Sequence, residues 1–184
     1  MRMITTIPIM HTIPIVPFYS QFTDIHTAPW QKVGCGITSL AMIINYYNGE
    51  KVTVDTLLKE GVAMGAYNKN AGWVHKDLIA ISNNYGLSGK SYDLSGSKNE
   101  VAFETLKKLL ADGPVMASIH YQFNPKSSIP HVVVIDGIEN GLIYYNDPAA
   151  KIGQKKISVE DFQKGWKRKL IVLRPTENKK TSVA

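Results

Sequence analysis

The single cysteine of this 184-residue chain, Cys35, lies between Gly34 and Gly36 at the start of an apolar segment. The two glycines leave room for a tight turn that enters a helix. A thiol at a helix N-terminus lies near the positive end of the helix dipole, which favours the nucleophilic thiolate. A lone cysteine is also among the residue types most often buried for packing alone. Cys35 is therefore a candidate nucleophile or a core residue, and the nucleophile needs a base within reach.

The histidines provide two candidate bases. The chain contains His11, His26, His75, His120 and His131. The first three are interpreted as surface or loop residues. The other two lie in a β-rich half, and an aspartate follows each at the same spacing: Asp136 after His120 and Asp147 after His131. We favour His131 with Asp147, because one opens a predicted strand and the other ends the next strand across a hairpin. His120 is interpreted as structural.

Acyl transfer also needs hydrogen-bond donors for the oxyanion. The backbone N–H of Cys35 is one donor, because the turn into the helix leaves it without a helical acceptor. A side-chain amide upstream would be the second. Gln21 and Gln31 are the glutamines available there, and the residues alone leave both open.

The elements that position these groups begin with helices. From Ile37 onward, apolar residues repeat at helical spacing and predict a helix with a buried stripe behind the cysteine. A short helix is predicted after Thr53, closed by Gly61. A third helix is opened by residues 72–75, and a fourth ends at Asp112. Residues 88–97 predict a loop or a short strand.

The pattern changes to β-strands after Pro114. The β-rich runs cover residues 115–121, 131–138, 142–146, 152–157 and 169–173. The pair Asn140-Gly141 is typical of a two-residue hairpin turn. Helices first and strands second predict an α+β fold, in which an N-terminal helical half packs on a C-terminal antiparallel sheet. A cleft is expected between the two layers.

Length and composition bound the remaining possibilities. A single domain is predicted over residues 1–175, with residues 1–13 as an extended N-terminal segment and residues 176–184 as a disordered basic tail. The hydrophobic content of 44% and charged content of 20% are typical of a globular protein. One cysteine excludes an internal disulfide and a multi-cysteine zinc site. No metal and no cofactor are expected.

The net charge of +6 is concentrated towards the C-terminus. We interpret this basic region as solvated lysines on edge strands. As an alternative, it binds an anionic cell-wall polymer. No nucleic acid is expected, and no apolar run is long enough for a membrane span. The N-terminus is interrupted by Pro8 and makes a poor secretory signal. We therefore expect a cytoplasmic location by default, or export if a signal has been removed.

Five blocks of sequence, taken together, resemble a known family. They cover residues 16–21, 30–42, 72–75, 131–137 and 145–148. In this order, over about residues 14–173, they are similar to the papain-like, bacteriocin-processing cysteine peptidases, which form cysteine peptidase family thirty-nine. The similarity is greater to the stand-alone bacterial members, because no transporter accompanies the blocks.

This resemblance implies roles for individual residues. Cys35 would be the nucleophile, His131 the general base and Asp147 the residue that orients the base. It favours Gln21 over Gln31 as oxyanion donor, because the glutamine of the family follows a Val-Pro-like strand. We therefore expect a cysteine peptidase that hydrolyses a peptide or protein substrate through a thioester. The alternatives are a cell-wall amidase or isopeptidase, an acyl-transfer effector with the same triad, and a catalytically inactive peptide-binding homologue.

Overall fold

The computed structural model describes residues 13–49 and 51–176 of the chain. Within them the chain forms six helices, eight strands and one short 3-10 turn (Tyr121–Phe123). The helices are α1 (Ala28–Gln31), α2 (Cys35–Asn48), α3 (Val54–Ala63), α4 (His75–Asn83), α5 (Asn99–Leu110) and α6 (Val159–Gly165). The strands are β1 (Tyr67–Asn68), β2 (Gly72–Trp73), β3 (Leu87–Asp93), β4 (Val115–His120), β5 (Pro130–Glu139), β6 (Leu142–Asn146), β7 (Lys155–Ser158) and β8 (Trp166–Pro175).

Helix α2 carries the cysteine and forms the centre of the helical layer. It starts at Cys35, as the sequence predicts, and its residues from Gly36 to Asn45 are buried. Gly49 ends the helix in the left-handed conformation, with φ of 73°, which a glycine adopts at little cost. The buried stripe anchors the helix, so that the position of its first residue is fixed.

The main sheet has six antiparallel strands in the order β3-β8-β4-β5-β6-β7. The α+β fold class predicted from the sequence is confirmed. The sequence predicts either a loop or a short strand for residues 88–97. Most of them belong to β3, which pairs with β8. The Asn140-Gly141 turn joins β5 to β6, and both residues have the positive φ that this hairpin turn requires.

The sheet is covered on both faces, because successive residues of a strand point to opposite sides. On β4, Met116 belongs to the apolar cluster that includes α2, α3 and α4. Its neighbours Val115 and Ala117 belong to a second cluster, which includes Leu106 of α5 and Phe162 of α6. The fourth predicted helix, α5, therefore packs on the face opposite α2.

Two predicted helix boundaries, the end of α3 and the start of α4, are wrong. Gly61 does not end α3, which continues to Ala63. A Cβ at Gly61 would lie 2.8 Å from Cζ3 of Trp73. This glycine therefore allows α3 to pack closely against Trp73 of β2 and does not end the helix. The third helix begins at His75, because residues 72–73 form β2 and pair with β1 in a short hairpin.

The predicted terminal segments are described only in part. Residues 1–12 of the extended N-terminal segment lie outside the described residues, and Ile13 lies beside Gly137 of β5. Thr176, the first residue of the predicted tail, donates its backbone N–H to Gly86 O at 3.0 Å, and residues 177–184 lie outside the described residues. In the described part of the chain, no helix has the length and apolar character to cross a membrane.

Candidate active site

Cys35 and His131 meet where the start of α2 approaches the start of β5. The imidazole of His131 lies beside the side chain of Cys35, close enough for the two groups to interact electrostatically, and both residues line the same cleft. Nε2 of the imidazole lies 2.6 Å from Oδ1 of Asp147. His131 is 4% exposed and Asp147 is 8% exposed, so the contact between these two residues is shielded from water. The ring therefore lies between a sulfur and a carboxylate, with Nε2 committed to the carboxylate.

The charges of this group favour a protonated imidazole. Burial lowers the pKa of His131, but the hydrogen bonds and negative charges of Asp147 and Cys35 outweigh burial and raise the pKa to about 9. Burial raises the pKa of Asp147, and its interactions with His131 outweigh burial and lower it. A protonated imidazole beside a cysteine, oriented by a carboxylate, is an arrangement that can stabilise a thiolate nucleophile.

The carboxylate of Asp147 is held by the chain that follows β6. The backbone N–H of Ala149 donates to Oδ1 of Asp147 at 2.8 Å. The hairpin pairs Val134 of β5 with Asn146 of β6, which brings the start of β5 close to the end of β6. The structure thus brings together His131 and Asp147, which the sequence pairs across this hairpin.

The alternative pair, His120 with Asp136, is not formed. Nδ1 of His120 lies 2.9 Å from the backbone carbonyl of Ser127, and Asp136 receives hydrogen bonds from Nδ2 of Asn146 at 3.1 and 2.8 Å. Burial raises the pKa of Asp136 to about 8, against the opposing hydrogen bond from Asn146. His120 therefore supports the loop after β4, and Asp136 supports the residue that precedes Asp147.

Of the two candidate glutamines, Gln21 reaches the cleft. It is 4% exposed and lines the cleft together with Cys35. Its backbone N–H donates to Pro148 O at 2.8 Å, which ties it to the segment after Asp147. Within the described chain, no donor contacts its Oε1. The side chain of Gln31 instead donates to the carbonyl of Ile25 at 2.7 Å and stabilises the preceding loop.

The cleft has a volume of about 910 Å³ and lies between the start of α2, the β1–β2 hairpin and four strands of the main sheet. One wall is aromatic: the rings of Tyr67 and Trp73 lie 5.4 Å apart, and Nε1 of Trp73 donates to Val33 O at 2.7 Å. The ring of Tyr121, which also lines the cleft, contacts the imidazole of His131 edge to face with the ring centroids 5.2 Å apart. Cys35 and His131 thus lie in a cleft lined by aromatic rings.

Several residues of this cleft were not found from the sequence. Tyr67 starts the two-residue strand β1 and Tyr121 starts the 3-10 turn, and both elements are too short for a periodic pattern. His75, interpreted from the sequence as a surface or loop residue, lines the cleft and lies 3.2 Å from Oγ of Ser118 through Nε2. Among the described residues, no group of three or more histidine, cysteine or acidic side chains could hold a metal ion.

A cysteine at the start of a helix, facing a histidine and an aspartate carried by an antiparallel sheet, defines the class of papain-like cysteine peptidase folds. A sequence profile of the Peptidase_C39-like family matches residues 13–169. The chain belongs to this family, as its resemblance predicts.

Relatives and solved structures agree with this membership. The uncharacterized protein YvpB of Bacillus subtilis (strain 168) is 24% identical over 175 residues, which cover 77% of this chain and 68% of YvpB. A double glycine motif protease from an AMS/PCAT transporter, solved in complex with the leader peptide, is 25% identical with a TM-score of 0.62, over 91% of this chain and 96% of the other. A C39-like protein from Bacillus anthracis is 20% identical with a TM-score of 0.57, over 88% and 96% of the two chains, and shows the same fold. The family and the fold are those of cysteine peptidases.

Proposed function

We propose that this protein is a cysteine peptidase that cleaves a peptide bond through attack by Cys35. Membership of the Peptidase_C39-like family supports this class of activity. The single observation that carries the proposal is that buried His131 is bonded to the carboxylate of Asp147 and lies beside Cys35 in the same cleft. A histidine that only fills a core needs neither partner, whereas acyl transfer needs a base between a nucleophile and an orienting group.

In the proposed reaction, the thiolate of Cys35 attacks the carbonyl carbon of the scissile bond, and a tetrahedral oxyanion forms. The imidazolium of His131 then gives its proton to the leaving amine as the C–N bond breaks, which leaves a thioester on Cys35. His131 next removes a proton from water, and the resulting hydroxide attacks the thioester. The tetrahedral intermediate collapses as the C–S bond breaks, the carboxylic acid product departs, and the expelled Cys35 thiolate lies beside the His131 imidazolium, which is the starting ion pair. Asp147 holds the ring in one orientation throughout.

The proposed oxyanion donors are the backbone N–H of Cys35 and Nε2 of Gln21. The first residue of an α-helix has no helical acceptor for its N–H. Gln21 lines the same cleft, and its Nε2 uses one of its two hydrogens in a bond to Gln31 O. The second hydrogen remains for a developing negative charge.

The proposed substrate is a peptide that carries glycines before the cleaved bond. Support comes from the similar structure solved with a leader peptide, which is described as a double glycine motif protease.

The test is hydrolysis of synthetic peptides that contain one Gly-Gly pair, followed by mass spectrometry of the fragments. We expect cleavage after the second glycine by the unaltered protein and none by the Cys35→Ala variant. Replacement of the glycines by alanine is expected to reduce cleavage. Hydrolysis that persists in Cys35→Ala would contradict the proposal. Release of peptidoglycan fragments without cleavage of any peptide would favour a cell-wall amidase.

His120 offers a matched control for the proposed base. His131→Gln is expected to lower kcat by a factor of about 10³, since general acid–base catalysis contributes on this scale. His120→Gln removes a histidine from the neighbouring strand, and its kcat is expected to stay within a few-fold of the unaltered protein. Equal losses in the two variants would mean that His131 acts through folding and not through chemistry.

A further inference from the structure

The cleft continues beyond the nucleophile to strands β4 and β8, where a group of polar side chains lines it. The group consists of His75, Ser118, Lys167 and Lys169, and we name it the basic subsite. Nε2 of His75, at the start of α4, lies 3.2 Å from Oγ of Ser118. Ser118 is paired with Lys169 between β4 and β8. His75, Ser118 and Lys169 are therefore neighbours, and Lys167 lines the same cleft two residues before Lys169 on β8.

A bulge in β8 presents the two lysines. Ser118 pairs with Lys169, but the next residue of β4 pairs with Trp166, so β8 carries extra residues at this point. Between its two lysines, Arg168 has a positive φ of 57°, which is unfavourable for a residue other than glycine. The Arg168 side chain donates to Ser97 O at 2.6 Å and holds this conformation. Bulges of this kind redirect side chains and are frequent beside active sites.

The charge of the cleft is one-sided. Four lysines line it: Lys32, Lys69, Lys167 and Lys169. The one acidic residue among its described lining residues, Asp93, is paired with Lys169 Nζ at 3.1 Å. In the described part of the chain Lys167 forms no ion pair with a carboxylate. An uncompensated positive charge therefore faces the cleft, where low-dielectric walls strengthen its field.

His75 contributes hydrogen bonding and not a further charge. Burial, and then the charge of Lys169, lower the pKa of His75 below its ordinary value. The neutral imidazole and the hydroxyl of Ser118 form a donor–acceptor pair. A hydroxyl that is bonded on one side by a histidine can donate its own hydrogen to an oxygen of a ligand.

We propose that the basic subsite binds a carboxylate side chain, aspartate or glutamate, of the peptide substrate. The ammonium group of Lys167 and the Ser118 hydroxyl offer hydrogen bonds to such a group, and Lys169, which Asp93 neutralises in part, adds a further donor. This proposal rests on the proposed function in one respect, namely that the ligand of the cleft is a peptide. It adds a sequence preference at a position other than the cleaved bond.

The test compares peptides that share one Gly-Gly pair and carry a single glutamate, moved one position at a time, with the matching glutamine peptides. Binding is measured by calorimetry with the Cys35→Ala variant, and KM is measured with the unaltered protein. At one position, glutamate is expected to bind about 5-fold more tightly than glutamine, a factor typical of a partly exposed ion pair. The preference is expected to shrink as salt concentration rises.

Two sets of variants assign the preference to the basic subsite. The double variant Lys167→Met with Lys169→Met keeps the apolar stems, and the difference between glutamate and glutamine peptides is expected to disappear. The double variant Lys167→Glu with Lys169→Glu is expected to prefer a lysine peptide at the same position. Lys156→Met, which removes a lysine on β7 outside the cleft, is expected to retain the glutamate preference.

The outcomes separate this proposal from the proposed function. Equal binding of glutamate and glutamine peptides at every position overturns the basic subsite, even where the peptides are cleaved. A glutamate preference that survives the double methionine variant also overturns it. A glutamate preference in Cys35→Ala without any cleavage by the unaltered protein supports the basic subsite and contradicts the peptidase. If an anionic polymer such as polyphosphate binds and no peptide is preferred over another, the proposal that the basic subsite binds a peptide carboxylate is overturned.

Discussion

Nε2 of Gln21 donates a hydrogen bond of 2.7 Å to the backbone carbonyl of Gln31, so the second candidate glutamine orients the first one. Only the Gln21 side chain lines the cleft, and the Gln31 side chain bonds Ile25 O. We expect Gln21→Ala to lower kcat roughly 100-fold by removing one oxyanion donor.

Gln31→Ala is the matched control for this measurement, because it removes the neighbouring amide but leaves the backbone carbonyl that holds Gln21. Its kcat is expected to fall only a few-fold. Steady-state kinetics with one Gly-Gly peptide decide the comparison. A larger loss in Gln31→Ala than in Gln21→Ala would reverse the assignment of the oxyanion donor.

The second prediction concerns the alkaline limit of activity. Asp147 and Cys35 raise the pKa of His131 to about 9 against the effect of burial, so the reactive ion pair should persist up to that pH. Asp147→Asn removes the negative charge, and the alkaline limb of the kcat/KM profile is expected to move to lower pH by about one unit or more.

The same substitution changes stability with a defined sign. A histidine with a raised folded-state pKa contributes stability that is complete below its unfolded pKa and is lost as the pH rises through the folded pKa. Asp147→Asn should remove part of that contribution at neutral pH. Asp161→Asn, at an exposed carboxylate of α6, serves as control. An alkaline limb that stays in place in Asp147→Asn would exclude a direct charge interaction with His131.

The third prediction concerns Gly36, the second residue of α2. A Cβ at this position would lie 2.7 Å from both Cβ and Cγ of Trp73, and Trp73 is fixed by its bond to Val33 O. Gly36→Ala is expected to cost about 1–3 kcal/mol of unfolding free energy, as overpacked cores do, and to displace the aromatic wall of the cleft.

Urea unfolding measures this cost, with Gly96→Ala as control. A Cβ at Gly96 would meet no atom within 4 Å, so its unfolding free energy should change by less than about 0.5 kcal/mol. If the two alanine variants are equally stable, Trp73 moves freely, and its hydrogen bond to Val33 O does not fix the aromatic wall of the cleft.

The fourth prediction concerns the buried carboxyl of Asp136. Because burial raises its pKa to about 8, the folded state binds a proton that the unfolded state releases at lower pH. Stability should therefore fall as the pH rises between about 4 and 8, at up to about 1.4 kcal/mol per pH unit. Asp136→Asn removes this contribution. The unfolding free energy of the variant should therefore increase relative to that of the unaltered protein as the pH rises.

Glu139→Gln, at an exposed carboxyl of the same strand, should follow the unaltered protein at every pH. The comparison requires unfolding curves at several pH values for all three proteins. If the difference between Asp136→Asn and the unaltered protein does not change with pH, Asp136 is ionised in the fold and Asn146 alone compensates for its burial.

Local patterns predicted the parts of the site that depend on one element or one turn. The helix of Cys35 and the hairpin that brings His131 near Asp147 follow from apolar spacing and from the Asn-Gly pair. The pairing of β3 with β8 could not be predicted in this way, because its partners are distant in sequence and most residues of β3 are exposed. The role of Gln31 depends on the fold of one irregular loop, which no periodicity describes.

The basic subsite was hidden for the same reason. The approach of His75 to Ser118 joins a helix start to a central strand, and the bulge at Arg168 depends on the register between β4 and β8. A run of lysines in a sequence is more often a solvated surface. Only the register of the strands separates the lysines that line a cleft from those that face water.

The place of β8 in the sheet has a consequence for biosynthesis. This last strand lies between β3 and β4, so the N-terminal edge of the sheet cannot join the rest until residues 166–175 have left the ribosome. Contacts between such distant segments form slowly. Because Lys167 and Lys169 of β8 line the cleft of Cys35, this cleft is complete only after β8 has paired with both β3 and β4.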